Sequence, residues 1–171
     1  MKLRIKQMKQ APGRAFPVEG ELEVERIERR GITAAYKTRI SYRGEARYWP
    51  ERFHLELEWE AEVERECARC LRHFTVHLRG HDQIMLCEER HFQLDQDLYP
   101  FENDVEELDL GPFVQSLVVE QLDPKPLCKP DCRGLCPHCG ADLNVEEHHP
   151  GCPALQEREV DPRLAVLKDL L

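Results

Sequence analysis

The chain has 171 residues, 41% apolar and 33% charged, with a formal net charge of −9; this is the balance of one globular domain, or one with a small appendage, and excludes a wholly disordered chain. No run approaches the roughly 18 apolar residues that a membrane span needs, and Met1–Gln10 alternates charge with apolarity where a secretory signal would be continuously apolar. A cytoplasmic location without membrane contact is expected, and in that reducing setting the eight cysteines read as metal ligands or reactive thiols rather than disulfides.

Residues 1–10 read as a short strand, with Leu3 and Ile5 on one face and Lys2, Arg4 and Lys6 on the other. After a loop containing Pro12, Gly13 and Pro17, two alternating runs (Leu22 and Val24; Ala34, Tyr36, Thr38, Ile40 and Tyr42) flank a turn near Arg29–Gly31 and predict an antiparallel hairpin. The clearest strand follows: Phe53, Leu55, Leu57, Trp59, Ala61 and Val63 at odd positions against Glu56, Glu58, Glu60, Glu62, Glu64 and Glu66 at even ones. Such alternation means one buried and one wet sheet face, and the glutamates read as the wet face, not as paired catalytic carboxylates.

Cys67-Ala-Arg-Cys70 interrupts the pattern and Phe74, Val76 and Leu78 resume it, which puts a C-x2-C at the tip of a hairpin. Ile84 and Leu86 extend the sheet, and residues 88–108 are acidic enough to read as a long mobile loop. Asp109 and Pro112 open a helix carrying Phe113, Leu117, Val118 and Leu122 on one face, stopped by Pro124 and Pro126. Asp161-Pro162 repeats that start for a short C-terminal helix with Leu164, Val166, Leu167 and Leu170.

The predicted fold class is therefore α+β. Residues 1–108 form an antiparallel β-rich half of five or six strands, a sandwich or partial barrel, with its acidic loop at 88–108. Residues 109–171 supply a helix, a cysteine-rich metal loop and a short C-terminal helix, packed on the β region.

Cys128, Cys132, Cys136 and Cys139 lie within twelve positions, interleaved with Gly134, Pro137 and Gly140, and Cys152 follows. Knuckle spacings of two to four residues let a short loop aim several thiolates at one zinc ion. The favoured arrangement takes four of Cys128, Cys132, Cys136, Cys139 and Cys152 as one site, with Cys67 and Cys70 as a separate pair. A second joins Cys67 and Cys70 to Cys136 and Cys139. A third makes two sites from all eight cysteines, or from seven with a histidine such as His138, His148 or His149; His148 and His149, beside Pro150-Gly151, read more as loop than as ligands. Cys87 reads as a small buried hydrophobe.

A four-thiolate site leaves no open coordination position, so its metal is structural. The alternative is an Fe–S or thiol-redox enzyme. Cys132-x3-Cys136-x2-Cys139 has the spacing that radical S-adenosylmethionine enzymes use, but the chain has no room for the βα barrel those enzymes need. Cys67 and Cys70 follow a glutamate run and lie between strands, not at a helix start that would activate a thiol. No phosphate loop, nucleophile elbow or zinc-protease helix is present.

Four motifs in order carry a resemblance: Cys67-Ala-Arg-Cys-Leu71, Asp109-Leu-Gly-Pro-Phe113, the run Cys132–Asn144, and Asp161-Pro-Arg-Leu-Ala-Val-Leu167. They resemble the YceD family, described as large ribosomal RNA subunit accumulation protein. The resemblance implies a non-enzymatic role in ribosome biogenesis, with no catalytic residue to carry over.

Charge divides the candidate partners. Residues 1–52 sum to +6, residues 53–110 to −11 and residues 111–171 to −4. Large-subunit ribosomal RNA would meet Lys2, Arg4, Lys6, Lys9, Arg14, Arg39, Arg43 and Arg47, with Tyr36, Tyr42, Tyr48 or Trp49 available to stack on bases. Otherwise the acidic middle would hold a basic ribosomal protein. No small-molecule substrate is evident.

Overall fold

The computed structural model describes residues 2–29, 32–92 and 97–155. The chain divides into two compact units, Met1–Arg65 with Phe74–Pro124, and Glu66–His73 with Lys125–Leu171. The expected C-terminal helix at 161–170 and the turn residues Arg30 and Gly31 lie outside the described residues.

The first unit is strand-rich and α+β. Its strands are β1 (Lys2–Arg4), β2 (Ala15–Leu22), β3 (Arg26–Arg29), β4 (Ile32–Tyr36), β5 (Ile40–Trp49), β6 (Arg52–Glu66), β7 (His73–Glu88), β8 (Leu98–Phe101) and β9 (Glu107–Asp109), with helices α1 (Ile5–Lys9) and α2 (Gly111–Glu120); β6 and β7 run into the hairpin tip assigned to the second unit. Seven strands form one sheet in the order β2-β5-β6-β4-β3, with β7 beside β6 and β8 beside β7; β1 and β9 form a separate pair. Among the described residues the sheet closes into no barrel, and its β7–β8 pair is parallel.

The single alternating run from Ala34 to Tyr42 becomes two strands on β6. β4 pairs Ala35 with Glu64, whereas β5 pairs Ser41 with Glu60, so two extra residues stand on the β4–β5 side. Lys37 N donates to Glu62 O and Thr38 Oγ1 accepts from Glu62 N, which keeps this bulge hydrogen-bonded. The first residues also differ from the expected strand. After Lys2–Arg4 the chain turns into α1, where helical spacing lets both Ile5 and Met8 reach the core. Within the acidic stretch, Leu98, Phe101 and Leu108 are buried, and burying them draws short strands out of what reads as loop.

The odd positions of β6 from Phe53 to Val63 are buried, joined by Ile40, Tyr42, Leu86, Leu110, Val114 and Val118. The N-cap of α2 is Leu110 and not the expected Asp109, which ends β9 one residue earlier, its Oδ1 accepting from Gly111 N at 3.0 Å. The wet face carries cross-strand pairs: Arg43–Glu58 at 2.7 Å, Lys37–Glu64 at 2.9 Å, and His77–Glu62 and His81–Glu56 at 3.0 Å. Arg65 breaks the pattern: it stands at a buried odd position, where Nη2 donates to Asp123 O at 2.9 Å.

Candidate metal centre

The second unit assembles two groups of ligands. Sγ atoms of Cys67, Cys70, Cys128 and Cys132 lie within 4.8 Å of one another, and so do Sγ of Cys136, Cys139 and Cys152 with a ring nitrogen of His148. Both groups can hold a metal ion.

The first group draws on two segments of chain. Cys67 and Cys70 lie on the turn between β6 and β7. Cys67 N donates to Arg72 O and Leu71 N to Cys67 O, with Leu71 at a φ of 58°, so the loop curls until both sulfurs face inward. Cys128 and Cys132 arrive from the far segment, where Cys132 N donates to Lys129 O. The segments are hydrogen-bonded to each other by Ala68 N to Pro126 O at 2.8 Å, Leu135 N to Arg69 O at 3.0 Å and Arg69 Nη1 to Cys132 O at 2.7 Å. Gly134, at a φ of 77°, passes so close to Arg69 that a Cβ would lie 3.0 Å from its carbonyl oxygen.

The sulfur spacing suits a tetrahedral ion. Zinc–thiolate bonds of about 2.3 Å in a tetrahedron put sulfurs roughly 3.8 Å apart. Cys67–Cys132 measures 3.7 Å and Cys70–Cys128 3.6 Å in the first group, and Cys136–Cys152 measures 3.7 Å in the second. Backbone amides prepare the anions. Burial works to raise the Cys67 pKa, but the amides of Cys128, Cys70 and Arg69 bring it down to about 6. Amides of Ala141 and His149 hold Cys139 at about 6 as well. Cys128 lies at the other extreme, pushed up to about 12 by burial and by its neighbouring sulfurs.

Of the arrangements weighed from spacing, the geometry follows the third. Cys128 and Cys132 join Cys67 and Cys70, while Cys136, Cys139 and Cys152 stand apart with His148, not His138 or His149. The C-x3-C-x2-C run is split between the groups, Cys132 on one side and Cys136 and Cys139 on the other, so it does not converge on one cluster. Spacing alone hid this, because the pairing depends on a hairpin tip 58 residues upstream of Cys128. Cys87 is fully buried near the end of β7, and burial raises its thiol pKa.

The cations read as an RNA face are mostly engaged. Lys2 pairs with Glu107, Lys9 with Glu88, Arg39 with Glu21 and Glu23, Arg43 with Glu58 and Arg47 with Glu45. Arg14 lies over the Phe16 ring at 5.6 Å. Arg4 and Lys6 are exposed, with no ion pair among the described residues. Of the four aromatics, Tyr42 is buried, Tyr36 and Tyr48 are half-buried, and Trp49 is 52% exposed.

The family model of large ribosomal RNA subunit accumulation protein YceD matches residues 55–171, which include both cysteine groups. The chain belongs to the YceD family. Among curated proteins, uncharacterized proteins of Mycobacterium tuberculosis and Mycobacterium bovis are each 35% identical over 112 residues, 62% of this chain and 49% of theirs. A Mycobacterium leprae protein, also uncharacterized, is 33% identical over 112 residues, 62% of this chain and 47% of its own length. The chain thus spans about half the length of the curated relatives it matches. No solved structure matches it. No helix among the described residues is long and apolar enough to cross a membrane.

Proposed function

We propose that this chain is a non-catalytic factor of large-subunit ribosome assembly, needed for its ribosomal RNA to accumulate, whose Cys67, Cys70, Cys128 and Cys132 hold a structural zinc ion. Family membership across residues 55–171 carries the reading. Four protein thiolates would fill the coordination sphere of zinc, leaving no position for water or substrate, so the ion would fix the hairpin tip to residues 128–132 and supply no reaction.

In cells depleted of the protein, the ratio of large- to small-subunit ribosomal RNA should fall. Wild-type protein should restore it, and the Cys67→Ser/Cys132→Ser variant should not. An unchanged ratio after depletion overturns the assembly role. Elemental analysis of the native protein tests the cofactor separately, and iron with visible absorbance would favour the Fe–S enzyme instead.

The partner is either the RNA itself or a basic ribosomal protein. Carboxylate pairing of the basic segment favours the second. It leaves Arg4, Lys6 and Arg14 as the candidate cations without an ion pair among the described residues, Arg14 lying over the Phe16 ring, while the wet face of the sheet holds a concavity of about 410 Å³ lined by Glu19, Glu45, Glu56 and Glu58 against Arg43 and His81. Glu58 faces Arg43, Glu45 faces Arg47 and Glu56 faces His81, so a basic segment would compete with those pairs just as phosphate would. What tips the balance is the net charge of −11 over residues 53–110, which favours a lysine- or arginine-rich segment over phosphate.

A further inference from the structure

The two ligand groups share a building plan that the sequence hides. In the first, Cys67 opens a C-x2-C loop in which the residue four places on, Leu71, donates N–H to Cys67 O at 3.0 Å with a φ of 58°, and Cys67 N donates to Arg72 O at 2.9 Å. In the second, Gly140 donates to Cys136 O at 2.9 Å with a φ of 76°, and Cys136 N donates to Ala141 O at 2.8 Å. The knuckles match bond for bond.

The remaining ligands match too. Cys128-x3-Cys132 is fixed by Cys132 N to Lys129 O at 3.1 Å, and His148-x3-Cys152 by Cys152 N to His149 O at 3.0 Å. His148 therefore occupies the place that Cys128 holds in the first group. Its Nδ1 lies 3.6 Å from Cys152 Sγ and 4.0 Å from Cys139 Sγ. Nitrogen–sulfur edges of a zinc tetrahedron are about 3.5 Å, given bonds near 2.0 and 2.3 Å.

We propose that Cys136, Cys139, His148 Nδ1 and Cys152 form a second tetrahedral zinc site, separately loaded, so that the chain binds two ions. This rests on the zinc reading of the first group but does not need the ribosomal role. The sites are unequal. The first takes ligands 58 and 65 residues apart and has four thiolates, whereas the second lies within residues 136–152 and has three thiolates and a neutral imidazole. Opening the second site needs only local fraying of one loop, so it gives up its ion first to a chelator.

The test is metal counting on the full chain, with zinc release to a colorimetric chelator followed in time and with cobalt substitution as a spectroscopic check. Wild type should carry two ions, released in two phases. His148→Ala should carry one and lose the fast phase, while His148→Cys should regain two, because the position then repeats Cys128. In the cobalt form carrying two ions, His148→Cys should raise the sulfur-to-cobalt charge-transfer intensity of the chain by about a seventh, from seven thiolates to eight, the added thiolate belonging to the second site. Two ions in a folded His148→Ala, or a single ion in wild type, overturns the second site and leaves the first standing. No zinc at all in wild type overturns both. If His148→Ala does not fold, the cobalt spectra of wild type and His148→Cys still decide: identical charge-transfer bands mean that His148 is not a ligand.

Discussion

Asn144 Nδ2 donates to Cys132 Sγ at 3.5 Å, while its Oδ1 accepts from Arg133 N at 2.9 Å. A residue from the loop between Cys139 and His148 thus supports a ligand of the first group. An N–H aimed at a thiolate offsets part of its charge and fixes its direction, and such outer partners typically change metal affinity by about 10–100-fold. Asn144→Ala should weaken zinc at the first group by about tenfold and leave the ion count unchanged in saturating zinc. Competition with a chelator of known affinity measures this, and an unaltered affinity would mean that the contact is incidental.

The two knuckles predict opposite outcomes for one kind of substitution. Leu71 holds a left-handed φ of 58° with its side chain 55% exposed, so it bears the strain of that conformation with little burial in return. Leu71→Gly should stabilise the metal-bound protein by about 0.5–1 kcal/mol. Gly140 sits at a φ of 76° with open space where a Cβ would go, so Gly140→Ala should cost about 1 kcal/mol from backbone strain alone. Thermal melts of both variants at fixed zinc give the two signs.

Much of the fold was legible because β6 carries a simple pattern, odd apolar from Phe53 to Val63 and even glutamate from Glu56 to Glu66. The C-x2-C at the following turn and the start of α2 were legible for the same local reason. What escaped depends on distance or register. The bulge at residues 37–39 preserves alternation while splitting the strand, and α1 begins one residue after a strand ends. Arg65 occupies a core position because the Asp123 carbonyl is there to receive it. His148 escaped because its Pro-Gly neighbourhood looks like plain loop, and only the repeated hydrogen-bond plan equates it with Cys128. The knuckles themselves differ at the turn residue, leucine in one and glycine in the other, so no sequence repeat announces them.

Gly44 on β5 is required by close approach. A Cβ there would lie 1.9 Å from Glu56 O, a backbone atom that cannot swing aside. Gly44→Ala must push β5 away from β6 along their register and should cost about 3 kcal/mol or more, at the large end for a single substitution. Denaturant midpoints compared with wild type check it, and a loss below about 1 kcal/mol would show that the strands can part locally.

Glu88 is buried at the end of β7, with Lys9 Nζ at 2.8 Å, Arg90 Nη2 at 3.2 Å and the Asp104 amide at 3.0 Å. Burial would raise its pKa, but the Lys9 hydrogen bond, the Asp104 amide and Arg90 outweigh that and hold it below the usual carboxylate range. The folded state therefore binds this proton more weakly than the unfolded state. Its contribution is complete above the ordinary glutamate pKa and is lost as pH falls through the depressed folded value. Glu88→Gln should cost about 1–3 kcal/mol at neutral pH and flatten the acid limb of the stability curve. An acid limb identical to wild type would assign that loss of stability to other carboxylates.

The ion pairs of the basic segment make the RNA reading quantitative. Lys2, Lys9, Arg39, Arg43 and Arg47 already face carboxylates, so a phosphate would have to displace each partner before it gained anything. Arg4 and Lys6 carry no such cost among the described residues. If large-subunit RNA binds this segment, Arg4→Gln/Lys6→Gln should reduce the slope of log affinity against log salt by about 1–2, whereas Arg39→Gln should barely change it. If a basic ribosomal protein is the partner, the dependence reverses. Glu56→Gln/Glu58→Gln on the glutamate face should then weaken binding of an arginine-rich peptide about tenfold at low salt, with the Arg4/Lys6 double change without effect. Filter binding of both variants against both probes separates the two partners, since each reading predicts a loss in the column where the other predicts none.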